Sequence, residues 1–366
     1  MARQSWWGWP FGALVAACLL AACAGAGAAP PAGGQPASGA GSAEGQPAGA
    51  AASVPPASPT PTKFVLGLAS LSPQNANIQT MHDAGIFLQH GLDAELQYTG
   101  GGANSIAPLV SGEIPIMIGG IPAFVIAQLG GADLAIVAVQ NNRFDYFFVA
   151  TAEIKQPDDL RGKTVSGTRR GALADTALDY LLRYWGLEPS RDVYVTEVNG
   201  GESVRAAALA NGAAVGTVMI APLAPEFAAP PYNVLANMSD LDIEFASNGL
   251  AALRARLAQD PAFYDRFLRA YIEGNHYFRT HPEESARGVM TLLKHDDVEY
   301  GRAAYEYYAR LIPDVPTTTP AAMQAVLDTL VESSPRARTT RPEDLLDLGP
   351  LERIVASGYV DQVLGR

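Results

Sequence analysis

The sequence predicts an α/β fold of two lobes with a helical carboxyl-terminal tail, on three observations. From Lys63 onward, short β-type runs alternate with helical ones, the pattern of a mainly parallel sheet covered on both faces. The alternation runs through two successive series. After about Phe245 the β-type runs stop and only helical pattern remains, and a stretch that long needs the first series to pack on.

In the first series the strands are expected at 64–68, 94–98, 114–118 and 134–140, with helices at 77–90, 104–111 and 122–129. In the second, strands are expected at 164–167, 193–198, 215–220 and 233–236. The clearest helix of that series places Ala174, Ala177, Leu178, Leu181, Leu182 and Trp185 on one face, and Gly186 ends it. In the tail, Pro261 opens a long helix with the stripe Phe263, Phe267, Ala270, Tyr271, Gly274 and Phe278. Further tail helices are expected near 297–310 and 320–333, where Tyr300, Tyr305, Tyr307 and Tyr308 read as packing residues. The chain then leaves the first lobe near 143 and returns near 246, and two linking strands make a hinge.

The amino-terminal stretch sets the compartment expected. Arg3 precedes an apolar run, 11–22, of the length of a secretory signal core and too short to span a bilayer. It ends in Leu20-Ala21-Ala22-Cys23, which resembles a bacterial lipobox, with Cys23 the residue that would take the lipid. Ordinary secretion, with Cys23 a bystander, is the alternative. The segment 24–62 is nearly all Ala, Gly, Pro, Ser and Gln, a composition that cannot bury enough apolar surface to order itself. As a flexible coil it would reach about 35 Å. The expected organisation is a signal at 1–22, a lipidated linker at 23–62, first lobe at 63–143, second lobe at 144–245, and the return to the first lobe at 246–366.

Composition narrows the function. The second cysteine, Cys18, lies inside the signal, so the processed chain has neither a disulfide nor a Cys-ligated metal. His82, His90, His276, His281 and His295 lack ligand spacing, and no metal or other cofactor is expected. A net charge of −12 argues against nucleic acid and anionic membrane surfaces as partners. No Ser-His-Asp, Cys-His or paired-carboxylate arrangement can be argued, so binding without catalysis is expected.

Several segments together resemble the nitrate/sulfonate/taurine family of ABC-transporter substrate-binding proteins, which includes thiamine-pyrimidine-precursor binding proteins. They are Asp158-Asp159-Leu160-Arg161-Gly162-Lys163-Thr164-Val165, Ala84-Gly85-Ile86-Phe87 with His90-Gly91-Leu92, 98–102, Ser111-Gly112-Glu113-Ile114, Gly119-Gly120, and His281-Pro282-Glu283-Glu284. The chain departs from the family pattern at Pro115 and at 212–216, each time losing a carboxylate near a strand start. The resemblance implies the type II periplasmic binding protein fold with its two-strand hinge. It also implies a small-molecule ligand, an ABC permease with its ATPase as partners, an extracytoplasmic location and a monomer. A pyrimidine-precursor ligand and a sensor role in place of transport stay open. An enzymatic reading, after fungal relatives that build a pyrimidine precursor around a cysteine cluster, lacks that cluster here.

In open α/β sheets the ligand lies beyond the carboxyl ends of the strands, where helix amino termini converge. That rule selects Ser72, Gln74, Asn75, Thr99, Gly101, Gly120, Ile121, Gln140 and Asn142 in the first lobe, and Thr168, Arg169, Arg170, Asn199 and Pro222 in the second. Gly100-Gly101-Gly102 is either a plain turn or a set of ligand-facing amides, and Gln140-Asn141-Asn142 either hinge or contact. Arg169 and Arg170 either face the cleft, favouring a small organic anion such as a sulfonate or carboxylate, or pair with acids such as Asp175.

Overall fold

The computed structural model describes residues 60–100, 106–170, 172–198, 201–222 and 230–366. Cys23, Gly101 and Asn199 lie outside the described residues. Among those described, the strands form two mixed sheets of five flanked by helices. The sheets are mainly parallel, as expected, with one antiparallel strand inside each.

The first sheet has the order β2-β1-β3-β10-β4. β1 (Thr62–Leu68) runs parallel to β2 (Leu92–Tyr98) and to β3 (Ile116–Gly120). Between β1 and β2 lie α1 (Ala76–Asp83) and α2 (Ile86–Gln89). The single helix expected at 77–90 is broken where Gly85 adopts φ +71°, a conformation glycine takes at little cost. α3 (Ala107–Val110) precedes β3, and α4 (Ile121–Leu129) leads to β4 (Leu134–Asn141), which is buried along its whole length.

β10 (Asn248–Leu253) enters between β3 and β4, antiparallel to both. The expectation that strands stop after Phe245 is therefore wrong. Gly-Leu-Ala-Ala-Leu shows no strand alternation because both faces of this central strand are buried. Gly249 is needed there, since a Cβ would sit 3.0 Å from Val139 Cα and 2.9 Å from Ile121 Cδ1.

The second sheet has the order β7-β6-β8-β5-β9. β5 (Tyr146–Thr151), missed in the sequence, runs antiparallel to β8 (Gly216–Ile220) and β9 (Tyr232–Asn237). β6 (Thr164–Gly167) runs parallel to β7 (Tyr194–Glu197) and to β8. α5 (Leu173–Tyr184) and α6 (Glu202–Ala210) cover this sheet.

The chain crosses between the sheets twice, at 142–145 and at 241–247, and the crossings hold each other. Ser247 N–H donates to Asn141 O at 2.8 Å and Phe245 N–H to Asn142 O at 2.9 Å. The Ser247 hydroxyl donates to the carbonyls of Asn141 and Arg143. Phe144 stacks on Phe245 with centroids 4.1 Å apart.

After β10 come α7 (Arg254–Gln259), α8 (Pro261–Thr280), α9 (Pro282–Leu293), α10 (Val298–Tyr308), α11 (Pro320–Leu330), α12 (Gly349–Ala356) and α13 (Tyr359–Leu364). Asp260 caps α8 by accepting Phe263 N–H at 3.0 Å. The buried face of α8 joins Phe263 and Phe267 to Phe64 and Phe87 of the first-sheet unit. α1 is clasped between α8 and α9 through two glycines. A Cβ on Gly274 would lie 2.7 Å from Met81 Cβ, and one on Gly288 would lie 3.2 Å from Thr80 Cα. The tail also reaches the second sheet, where Tyr307 packs on Phe147 and donates to Asn237 Oδ1 at 3.3 Å.

Asp145, on the first crossing, is fully buried with neither carboxylate oxygen in a hydrogen bond of normal geometry. Burial pushes its carboxyl up to about 6, against a smaller downward pull from the neighbouring Tyr308 hydroxyl.

Two predictions follow from this packing. Gly274→Ala gains up to about 1 kcal/mol of helix propensity but overpacks against Met81 at about 1–3 kcal/mol. Urea titration should therefore find the variant less stable. For Asp145, the unfolded carboxyl titrates near its ordinary value, about 3.9, so folding favours the protonated form. Its contribution is fully present below about pH 4 and is lost as the pH rises through about 6. Asp145→Asn should match wild type near pH 4 and exceed it by about 2–3 kcal/mol at pH 8. Equal stability at both pH values would contradict this.

Candidate ligand-binding site

Between the two sheets lies a cavity of about 560 Å³, within the range of small-molecule sites. Its walls are the carboxyl ends of the parallel strands. Ala69, Ser70, Leu71, Ser72 and Gln74 follow β1, Tyr98 ends β2, and Gly120 ends β3. On the other side Thr168 and Arg169 follow β6, Val198 follows β7, and Ile220 ends β8. Tyr146 comes from the amino end of β5, which antiparallel pairing brings to the same side.

Helix amino termini converge on this space. The 3-10 turn Pro73–Asn75 leads into α1, and Gly120 is the N-cap of α4. Ala172 is the N-cap of α5 and Gly201, at φ +90°, that of α6. None of these ends has a side-chain cap, but the first N–H of α4 goes to Ser247 O at 3.0 Å and that of α1 to Pro73 O, which leaves the start of α5 as the end best placed to meet a negative group. Gly120 also sets how closely the walls meet, since a Cβ there would lie 3.3 Å from Leu173 Cβ.

On the second-sheet wall, Arg205 is 2% exposed and its Nη2 donates to Glu202 Oε1 at 3.1 Å. Its Nε donates to Val218 O at 3.3 Å. Glu202 also accepts Ile220 N–H at 3.2 Å and keeps 19% of its side chain open. Burial pushes the Glu202 carboxyl up to about 7 even though Arg205 pulls it down. The Tyr146 hydroxyl, buried near Asp145 and Glu202, is held well above its usual range. On the first-sheet wall Ser72 and Gln74 are 7% and 4% exposed, and Ser72 Oγ and Gln74 Oε1 have no hydrogen-bond partner among the described residues.

Of the residues selected from sequence, the structure brings Ser72, Gln74, Gly120, Thr168 and Arg169 to this cavity. The other described ones lie off its lining. Asn75 is buried, donating to Ser70 and accepting from Asn248 at 2.8 Å. Gln140 is 2% exposed, accepting from Asn77 and Tyr271 while its amide donates to Gln74 O. Asn142 ties the first crossing to the tail through Thr317 O and Thr318 Oγ1. Thr99 bonds back to Leu68 O, Ile121 is core, and Pro222 follows β8 in the buried turn. Arg170 is exposed and off the lining. For Asn75, Thr99, Gln140 and Asn142 the reason is common: a polar residue at a strand end satisfies neighbouring protein groups as readily as a ligand.

Tyr98, Tyr146 and Arg205 were not selected, and Glu202 only as the end of the loop 199–202. Glu202 and Arg205 carry a readable signal, Glu-x-x-Arg on the first turn of a helix after Gly-Gly, which pairs charges one turn apart. A smaller hollow of about 350 Å³ lies at the opposite end of β4. Its Arg254 and Arg336 are spent on the backbone carbonyls of Asp344 and Leu129.

Comparison with known proteins agrees with this architecture. The structure superposes on a Bordetella bronchiseptica RB50 protein with a TM-score of 0.68 at 16% identity, covering 83% of this chain and 98% of that one. It superposes on the periplasmic aliphatic sulphonate binding protein SsuA from Escherichia coli with a TM-score of 0.61 at 19% identity, covering 78% and 99%. At these identities the likeness is one of fold, the periplasmic binding protein fold. YtlA of Bacillus subtilis (strain 168) is 27% identical over 146 residues, 39% of this chain and 42% of YtlA, so the match spans less than half of that relative. The family described as NMT1/THI5 like matches residues 72–285, more than half of the sequence, and the chain belongs to that family.

Proposed function

We propose that this protein is the extracytoplasmic solute-binding component of an ABC importer and captures a small organic anion, sulfonate- or carboxylate-like, in the cavity between its sheets. The observation that carries the anion is the amino terminus of α5, without a side-chain cap, opening on a cavity that Thr168 and Arg169 also line. Each helix end contributes about 0.3–1 kcal/mol toward a negative group, up to about 2 when partly buried. A charge-assisted hydrogen bond from Arg169 or Thr168 contributes about 1.5–3. Several such terms together approach the roughly 8 kcal/mol of a micromolar site.

Binding without catalysis fits the lining, which among the described residues contains no His, Cys or Lys and one carboxylate, tied to Arg205. The two paired crossings are the natural pivot for closure of one sheet unit on the other. The protein works as a monomer, delivering its ligand to a permease driven by an ATPase. Cys23 carries the lipid that holds it at the membrane, with the segment 24–62 as its tether.

Arg169→Ala should bind the best anion from a sulfonate and carboxylate panel about 10- to 100-fold more weakly by isothermal titration, matching one charge-assisted hydrogen bond. Unchanged affinity, or a panel in which only neutral pyrimidines raise the melting temperature, would overturn the anion. Cys23→Ala should abolish incorporation of labelled palmitate and release the protein from membranes. Retained labelling would remove the anchor.

A further inference from the structure

We infer that Glu202 is a resident anion that fixes the charge of the ligand: one negative group, with a hydrogen-bond donor elsewhere on the molecule, and no second anionic group. This rests on the anion reading above and adds a specificity-determining residue to it.

On the second-sheet wall, two features that attract an anion are the amino terminus of α6 and the side chain of Arg205. Both already face one. Glu202 opens α6, accepts Arg205 Nη2 at 3.1 Å, and takes Ile220 N–H at 3.2 Å through Oε1 and 3.4 Å through Oε2. Arg205 lines the cavity but is 2% exposed, and it could turn to a ligand only by giving up that carboxylate and Val218 O. The charge of Arg205 is therefore balanced inside the protein. The ligand's own negative group meets the start of α5 beside Thr168 and Arg169 on the same wall.

The opposite wall states the complementary demand. Ser72 Oγ and Gln74 Oε1 are more than nine-tenths buried, line the cavity and have no partner. Gln74 Oε1 can only accept, and so can the open part of Glu202 once it is ionised, while the Ser72 hydroxyl can turn either way. A ligand N–H or O–H satisfies these acceptors, whereas a second carboxylate or sulfonate would be set against Glu202 with its counter-charge already taken.

The test is isothermal titration of the purified protein at pH 8 with two matched series. One is ethanesulfonate, 2-aminoethanesulfonate and ethane-1,2-disulfonate; the other is propionate, 3-aminopropionate and succinate. In whichever series binds, the amino member should bind at least fivefold tighter than the plain monoanion, and the dianion should be the weakest. Glu202→Gln should bring the amino preference below fivefold and strengthen the dianion. Should that variant fail to fold, Gln74→Leu reads the same ratio and should also lower it. A wild-type preference under fivefold, a dianion that binds tightest, or ratios unmoved by the variants would overturn the role of Glu202 alone. Failure of every member of both series to bind would remove the anion reading and this inference with it.

Discussion

Two short crossings, sewn to each other by backbone hydrogen bonds, determine how everything else in this protein is arranged. Because Ser247 and Phe245 donate to Asn141 and Asn142, the outgoing and returning segments run side by side. The sheets they feed consequently present the carboxyl ends of their parallel strands to a common space. Stacking of Phe144 on Phe245 keeps water from competing for those bonds. The cavity, its ring of helix ends and its buried ion pair all inherit their positions from this pairing.

Behind the first-sheet wall stands a buried polar lattice that links distant parts of the chain. Asn77 donates to Asn275 at 2.8 Å and to Gln140, Tyr271 donates to Gln140, and Asn248 donates to Asn75. It joins α1, the neighbouring strands β10 and β4, and α8. Such groups contribute modestly when paired, but an orphaned partner costs about 1–3 kcal/mol. The lattice thus holds the residues before α1 in one arrangement, which keeps Ser72 and Gln74 turned to the cavity. It also explains why Asn75 and Gln140, polar residues at strand ends, belong to the frame and not to the lining.

Much of the fold was legible in the sequence because hydrophobic periodicity survives wherever one face of an element is buried. The stripe at 174–185 and the one from Phe263 to Phe278 both became the buried faces of helices. β10 escaped because both of its faces are buried, so Asn248–Leu253 carries no alternation and reads as helix. β5 escaped although Tyr-Phe-Phe-Val-Ala-Thr is rich in strand formers, because a simple βα alternation leaves no place for an antiparallel insertion. At the site, the strand-end rule found Ser72, Gln74, Gly120, Thr168 and Arg169 on the lining. It missed Arg205, which lines the cavity from one turn inside a helix, where a rule about strand ends does not look.

Gly120 has a consequence beyond local packing. With no side chain, it lets the start of α4 meet Leu173 at the start of α5, where an added Cβ would stand 3.3 Å from Leu173 Cβ. The position is a doorstop that has been left out. A graded set of side chains there would act as feeler gauges, each holding the mouth ajar by its own thickness, while the ion pair and the polar lattice stayed as they are. Aperture and chemistry are thereby under separate control in this protein, and a lineage could widen one without rewriting the other.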